Sequence, residues 1–137
     1  MYTTTSTSYL NTSSATPGKT YYYKVRAVAS DGANSEFSNV LYRTVDCARP
    51  VVTASNVASS GKIKLTWETV DGATKYEVYR ATSKSGTYTK LGTTTKTYYT
   101  NSSATAGKTY YYKVKAVCSK TTSGNSAYSS VVSIKSK

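Results

Sequence analysis

An internal repeat constrains this chain more than any other feature. Residues 9–30, YLNTSSATPGKTYYYKVRAVAS, match residues 98–119, YYTNSSATAGKTYYYKVKAVCS, at most positions, with an offset of 89 residues from Tyr9 to Tyr98. After a two-residue insertion the match resumes, with Asn34-Ser35-Glu36-Phe37-Ser38-Asn39-Val40 against Asn125-Ser126-Ala127-Tyr128-Ser129-Ser130-Val131. A unit of that period in a chain of 137 residues gives one complete copy and part of another. The complete copy spans 50–137. Residues 1–45 correspond only to the back end of a unit, and 46–49 link the two. The first copy therefore lacks a counterpart of residues 50–92.

Within the complete copy the apolar residues alternate with a period of two, the signature of half-buried strands. Ile63, Leu65 and Trp67 fall on one face, with Lys62, Lys64 and Thr66 on the other. Tyr76 and Val78 point inward, with Glu77 and Tyr79 outward. Tyr110, Tyr112, Val114 and Ala116 alternate against Tyr111, Lys113, Lys115 and Val117. Turn signals separate these runs at Ser59-Ser60-Gly61, Val70-Asp71-Gly72, Ser83-Lys84-Ser85-Gly86 and Ala106-Gly107-Lys108. No segment has a helical period. Short strands at this spacing predict an all-β sandwich or barrel.

Composition narrows the chemistry. With no His, the chain lacks the residue that most metal sites and the Ser/His and Cys/His catalytic pairs require. Its 6 acidic residues leave little for paired acid/base work. Asp71, Glu68 and Glu77 are the nearest to a cluster, yet Asp71 sits in a turn signal and Glu77 points away from Glu68. No nucleophile, base and oxyanion set can be assembled, so the expectation is a non-enzyme without cofactor or metal. The 18 Lys and Arg give a net charge of +12, which favours anionic surfaces but equally describes solubilised strand faces. No window is long and apolar enough to predict a spanning helix, and residues 1–10 lack the basic start and apolar core of a signal peptide.

The residues Pro50, Trp67, Tyr76-Glu77-Val78-Tyr79-Arg80 and Ala106-Gly107-Lys108-Thr109-Tyr110, with its first-copy form Pro17-Gly18-Lys19-Thr20-Tyr21, resemble a fibronectin type III module. The resemblance covers 50–135 fully and 3–45 as a trailing half. The wording of 77–83 and 107–114 looks like that of tandem copies in large secreted proteins of Gram-positive bacteria. One departure is Ala15 and Ala104, where the family usually has Leu.

The resemblance implies an immunoglobulin-like seven-strand sandwich. Strands A (51–57), B (62–68) and E (96–100) would form one sheet, and C (74–81), C′ (87–92), F (109–118) and G (126–134) the other. Tyr21 and Tyr110 would be tyrosine-corner residues, and Ile63, Leu65, Trp67, Tyr76, Val78, Tyr99, Tyr112 and Val114 the core. Strand A begins and F ends at one pole, so Cys47 and Cys118 can meet in a disulfide, which implies an extracellular or cell-surface setting; two free buried thiols are the alternative.

Residues 1–45 would supply E, F and G strands with no A, B, C or C′. Tyr21, Tyr23, Val25 and Ala27 would then face a missing partner. A piece of a longer array, a symmetric dimer of halves and a filament each account for that. The functional expectation is a structural or adhesion module, a spacer or assembly element of a larger surface protein. Its partners would be other modules or identical chains. The alternative is a binder of glycans or anionic wall polymer through Tyr79, Tyr111, Lys113 and Lys115. Nucleic acid is disfavoured, since no fold signature accompanies the basic and aromatic residues. The loop Ser119–Asn125 lacks Arg-Gly-Asp, and Asn11-Thr12-Ser13 and Asn101-Ser102-Ser103 match the glycosylation sequon as chance would allow.

Overall fold

A computed structural model describes residues 1–11, 15–58, 61–118 and 124–137. It has nine strands and no helix among them: β1 (Thr20–Tyr23), β2 (Leu41–Thr44), β3 (Val52–Asn56), β4 (Ile63–Trp67), β5 (Lys75–Ala81), β6 (Thr89–Thr94), β7 (Tyr98–Asn101), β8 (Thr109–Val117) and β9 (Val132–Lys135). In the complete copy, β3-β4-β7 form one antiparallel sheet and β6-β5-β8-β9 the other. These are strands A-B-E and C′-C-F-G of the expected sandwich.

The period-two pattern decides which side chains fill the space between the sheets. Ile63, Leu65, Val78, Tyr112, Val114 and Ala116 are wholly buried, and Trp67, Tyr76 and Tyr110 nearly so. Trp67 meets the Tyr76 ring edge-on at 5.2 Å, a geometry aromatic quadrupoles favour. Each buried aliphatic side chain contributes about 1.5–3 kcal/mol of transfer free energy. Tyr99 is part of this core at its rim: its ring packs over Gly92, and its hydroxyl donates to the Leu91 carbonyl at 3.3 Å. The bulge between Val78 and Tyr79 puts Leu91 opposite no β5 residue, and Leu91 packs against the core.

Among the described residues, the buried polar side chains are paired with one exception. Asn101, 1% exposed, donates from Nδ2 to the Tyr112 hydroxyl at 2.7 Å and accepts through Oδ1 from the Ser103 amide and hydroxyl. Asn56 joins the two sheets, donating to the Lys135 carbonyl and accepting from the Lys137 amide. Among the described residues, Trp67 Nε1 is the one buried side-chain donor without a partner.

Several expectations need correction. Strand G was expected from 126, but the regular ladder starts at Val132. Before it, Ser126 and Ser129 pair with Ala116 and Val114 in another way. Each serine amide donates to the opposite carbonyl, while the serine hydroxyl accepts that residue's N–H. A side-chain oxygen replaces the backbone carbonyl, so the pairing holds while the strand is displaced. Strand C′ lies two residues later than expected at its end. Val117 was expected to point out to solvent but is buried, at the pole where residues 17–18 and 124 crowd the end of β8.

In the first copy, β1 and β2 pair in the register of β8 and β9. Thr20, Tyr21, Tyr22 and Tyr23 face Thr44, Arg43, Tyr42 and Leu41. The serine pairing recurs: Ser35 and Ser38 donate to Ala27 and Val25 carbonyls and accept their N–H groups. The expected E strand does not form, since residues 1–11 carry no ladder. In the complete copy, strand E (β7) pairs with strand B (β4), and residues 1–49 hold no counterpart of that strand. Tyr23 and Val25 are exposed, as are Val28, Val40 and Leu41.

Candidate functional site

Two places gather side chains or backbone in ways the core does not require. One is the outer face of the β6-β5-β8-β9 sheet. The other is the junction between the two copies.

On the outer face, Tyr79 and Lys113 are neighbours across β5 and β8, as are Glu77 and Lys115. Tyr128, from the irregular segment before β9, lies against them. Its ring meets Tyr79 edge-on at 5.1 Å and an interplanar angle of 89°. The Lys113 ammonium sits 4.0 Å from the Tyr128 centroid and 4.5 Å from that of Tyr88, and Lys115 is 5.7 Å from Tyr128. The Tyr79 hydroxyl donates to Glu77 Oε2 at 2.9 Å, and Lys90 pairs with Glu77 Oε1 at 2.6 Å. That Lys90 contact and the Tyr79 hydrogen bond hold the Glu77 carboxyl below the ordinary range. Burial, then Glu77, pushes the Tyr79 phenol up. All four expected face residues, Tyr79, Tyr111, Lys113 and Lys115, are half-buried on this one face. Tyr88, Tyr128 and Lys90 complete it and were not legible beforehand, because they sit in irregular or edge segments. The first copy repeats the cation–ring contact, with Lys24 at 4.0 Å and Arg26 at 5.0 Å from the Phe37 ring. A contact made by both copies between strand F and the serine-paired segment braces the sheet edge.

At the junction, three left-handed glycines let backbones approach. A Cβ on Gly18 (φ +79°) would lie 2.5 Å from the Cys118 carbonyl oxygen. One on Gly72 (φ +75°) would lie 2.9 Å from the Pro17 oxygen, and one on Gly124 (φ +90°) 2.7 Å from Thr44 Cγ2. The linker adds hydrogen bonds to the same place. The Cys47 amide donates to the Gly124 carbonyl at 3.0 Å, and the Gly124 amide donates to Asp46 Oδ1 at 3.2 Å. Cys47 and Cys118 are joined in a disulfide, 71 residues apart, with Cα atoms separated by 6.3 Å. The corner of the first copy thus seats on the B–C turn, the end of F and the start of G of the second. Gly107, the counterpart of Gly18, has the same φ of +79° and meets nothing within 4 Å.

The tyrosine corners form in both copies. The Thr16 amide donates to the Tyr21 hydroxyl at 2.9 Å, and the Thr105 amide to that of Tyr110 at 3.0 Å. Those bonds hold both phenols below their usual range. Burial pushes the Tyr112 phenol up. The sequon residue Asn101 is a core hydrogen-bonding group, with its amide nitrogen committed to Tyr112. Thr12 and Ser13 of the other sequon, the Ser59-Ser60 turn and residues 119–123 of the loop without Arg-Gly-Asp lie outside the described residues. Among the described residues, no three His, Cys, Asp or Glu groups gather to hold a metal, and no helix is long and apolar enough to cross a membrane.

The chain resembles known proteins in fold and sequence. No family model matches it. A solved Fn3-like protein from Clostridium thermocellum superposes with a TM-score of 0.54 at 36% identity, covering 62% of this chain and 90% of that one. The solved structure FN3tt mut gives a TM-score of 0.56 at 25% identity, covering 65% and 94%. An amylopullulanase of Thermoanaerobacter thermohydrosulfuricus is 30% identical over 107 residues, which is 75% of this chain but 7% of that protein. The chain therefore spans a small fraction of the curated relatives it matches.

Proposed function

The chain belongs to the fibronectin type III family, and from that premise we propose that it is a non-catalytic accessory module, an extracellular spacer that holds other parts of a larger protein at a fixed angle and reach. The observation that carries this reading is the junction. A flexible tether would leave residues 46–49 free of contacts. Here Asp46 and Cys47 are bonded to Gly124, and glycines 18, 72 and 124 bring the copies to backbone contact. The disulfide anchors the linker end to the end of β8, beside Gly18. It also supports an oxidising, extracellular setting. Matching a small part of a much longer amylopullulanase fits an accessory segment of a large polypeptide. Adhesion or assembly through neighbouring modules is the natural extension of the same geometry.

The test is small-angle scattering of the full chain. A spacer keeps one maximum dimension across the whole temperature range below unfolding. A maximum dimension that broadens on warming, before any sandwich signal is lost, would refute the reading.

A second reading is a binder of glycans or anionic wall polymer on the outer face. What supports it is the gathering of Tyr79, Tyr88, Tyr111, Lys113 and Lys115 on one sheet face of a chain with a net charge of +12. Against it, the perpendicular Tyr79 and Tyr128 rings offer no flat platform, and Lys113 already rests between two rings. A glycan array with wild type and the Tyr111→Ala/Lys113→Ala double variant decides it. No binding, or binding that the variant leaves unchanged, removes this reading.

A further inference from the structure

The disulfide between Cys47 and Cys118 ties the linker rather than the two sheets. Cys47 lies ahead of β3, and Cys118 lies just past the end of β8. The first copy has Ala29 where the second has Cys118. Without a cross-link at that position it still forms the same hairpin register, tyrosine-corner bond and serine pairings. Those features of the fold therefore do not depend on the bond. What the bond does fix is the junction. The carbonyl of Cys118 is the group against which Gly18 of the first copy seats, and its sulfur lies 3.9 Å from the carbonyl of Asp71, beside Gly72, on which Pro17 seats. Asp46 and Cys47 also bond to the second copy, both at Gly124. One covalent bond thus joins the linker to the spot where the first copy's corner rests.

The two sulfurs are unequally placed. Cys47 is 6% exposed, whereas Cys118 is half-buried. An incoming thiolate reaches Cys118 more readily and displaces Cys47, and access of this kind governs the rate of thiol–disulfide exchange. Both residues pack at the end of the hydrophobic core. As free thiols they remain small apolar side chains and keep that packing.

We propose that the Cys47–Cys118 disulfide is a redox latch on the junction. Closed, it holds the two copies as one body; opened by a dithiol reductant, it frees the linker while the sandwich stays folded. The proposal rests on the rigid-spacer reading above. In the opening step a thiolate of the reductant attacks Cys118 Sγ, the bond to Cys47 breaks, and Cys47 leaves as a thiolate that takes up a proton. The second thiolate of the reductant then attacks the mixed disulfide and releases Cys118, which is protonated in turn. Two electrons pass to the cysteine pair, and the dithiol becomes a cyclic disulfide; an oxidised dithiol runs the same steps backwards. With the bond open, the corner is left to the hydrogen bonds at Gly124 and the backbone packing at Gly18 and Gly72.

The test is 15N relaxation and amide exchange of the full chain before and after dithiothreitol, with the thiols counted by alkylation and mass. The oxidised chain is expected to show one correlation time for β1 to β9. After reduction β1 and β2 should show a shorter one, and exchange at Cys47 and Gly124 should speed by about tenfold or more. Slow exchange in β4, β5 and β8 should persist, and reoxidation should restore the first state. The Cys47→Ala/Cys118→Ala double variant should match the reduced chain with or without dithiothreitol. A reduced chain that keeps one correlation time overturns the latch and leaves the spacer reading standing. Two correlation times in the oxidised chain overturn the spacer reading and the latch together. Loss of slow exchange in β4 and β8 on reduction would make the bond a staple of the sandwich and overturn the latch. So would a response of the double variant to dithiothreitol.

Discussion

Gly18 and Gly107 form a natural matched pair for testing the junction. They occupy the same repeat position, share a φ of +79°, and donate equivalent hydrogen bonds, to Val45 at 2.8 Å and to Ser136 at 2.9 Å. Alanine at either site therefore carries the same left-handed backbone penalty of about 1–2 kcal/mol. They differ in what a new methyl would meet. At Gly107 there is nothing within 4 Å, whereas at Gly18 the Cys118 carbonyl oxygen lies 2.5 Å away. Ordinary contact begins near 3.4 Å, so the corner must withdraw by nearly an ångström, and backbone rather than a flexible side chain has to move. Such overpacking costs about 1–3 kcal/mol beyond the shared penalty. Gly18→Ala is thus expected to unseat the corner, shifting the amide resonances of Gly72, Cys118 and Gly124 and speeding exchange at Gly124, while Gly107→Ala leaves those three unchanged. Two variants with the same small effect at residues 72, 118 and 124 would mean that the corner is not seated on the second copy.

Other perturbations probe the sandwich. Asn101→Ala leaves the buried Tyr112 hydroxyl without its partner and should cost about 2–3 kcal/mol; in a double-mutant cycle with Tyr112→Phe the combined loss should fall short of the sum, and strict additivity in urea unfolding would contradict the pairing. Removing the disulfide through Cys118→Ala, which opens a 71-residue loop, should lower stability by about 2–4 kcal/mol in thermal or denaturant melts. Gly92→Ala drives a methyl to 2.5 Å from the Tyr99 hydroxyl and should destabilise by about 1–2 kcal/mol, with part of the loss recovered by adding Tyr99→Phe. The Glu77 carboxyl titrates lower in the folded chain than in the unfolded one. Its contribution is therefore complete above the ordinary value of 4.5 and is lost as pH falls through the folded value. Lys90→Ala should raise the Glu77 titration midpoint seen by carboxyl NMR and flatten that acid limb.

Much of this architecture was legible because strand patterning is local. Ile63-Lys64-Leu65-Thr66-Trp67 and the Tyr110–Ala116 alternation specify both their strands and their buried faces. The two sheets then followed from the family resemblance rather than from any single residue. What could not be read arose from contacts between distant segments. Ser126 and Ser129 read as strand residues, yet their hydroxyls take over the acceptor role and displace the start of G. The first-copy E strand was expected from its repeat partner, but a strand forms only against a neighbour, and its neighbour in the repeat is strand B. The outer face was half visible. Its strand residues followed from alternation, while Tyr88 and Tyr128 come from segments whose orientation no period fixes. The junction left one signal in the sequence, three glycines at turns, and nothing in one chain distinguishes a glycine required for close approach from one required only for its φ.

The central claim is that the two copies move as one body, and 15N relaxation of the full chain tests it most directly. The account predicts that the amides of β1 and β2 report the same overall rotational correlation time as those of β3 to β9. A distinctly shorter correlation time for Tyr21–Tyr23 and Leu41–Thr44 would mean that the hairpin tumbles on a tether, and would contradict the account.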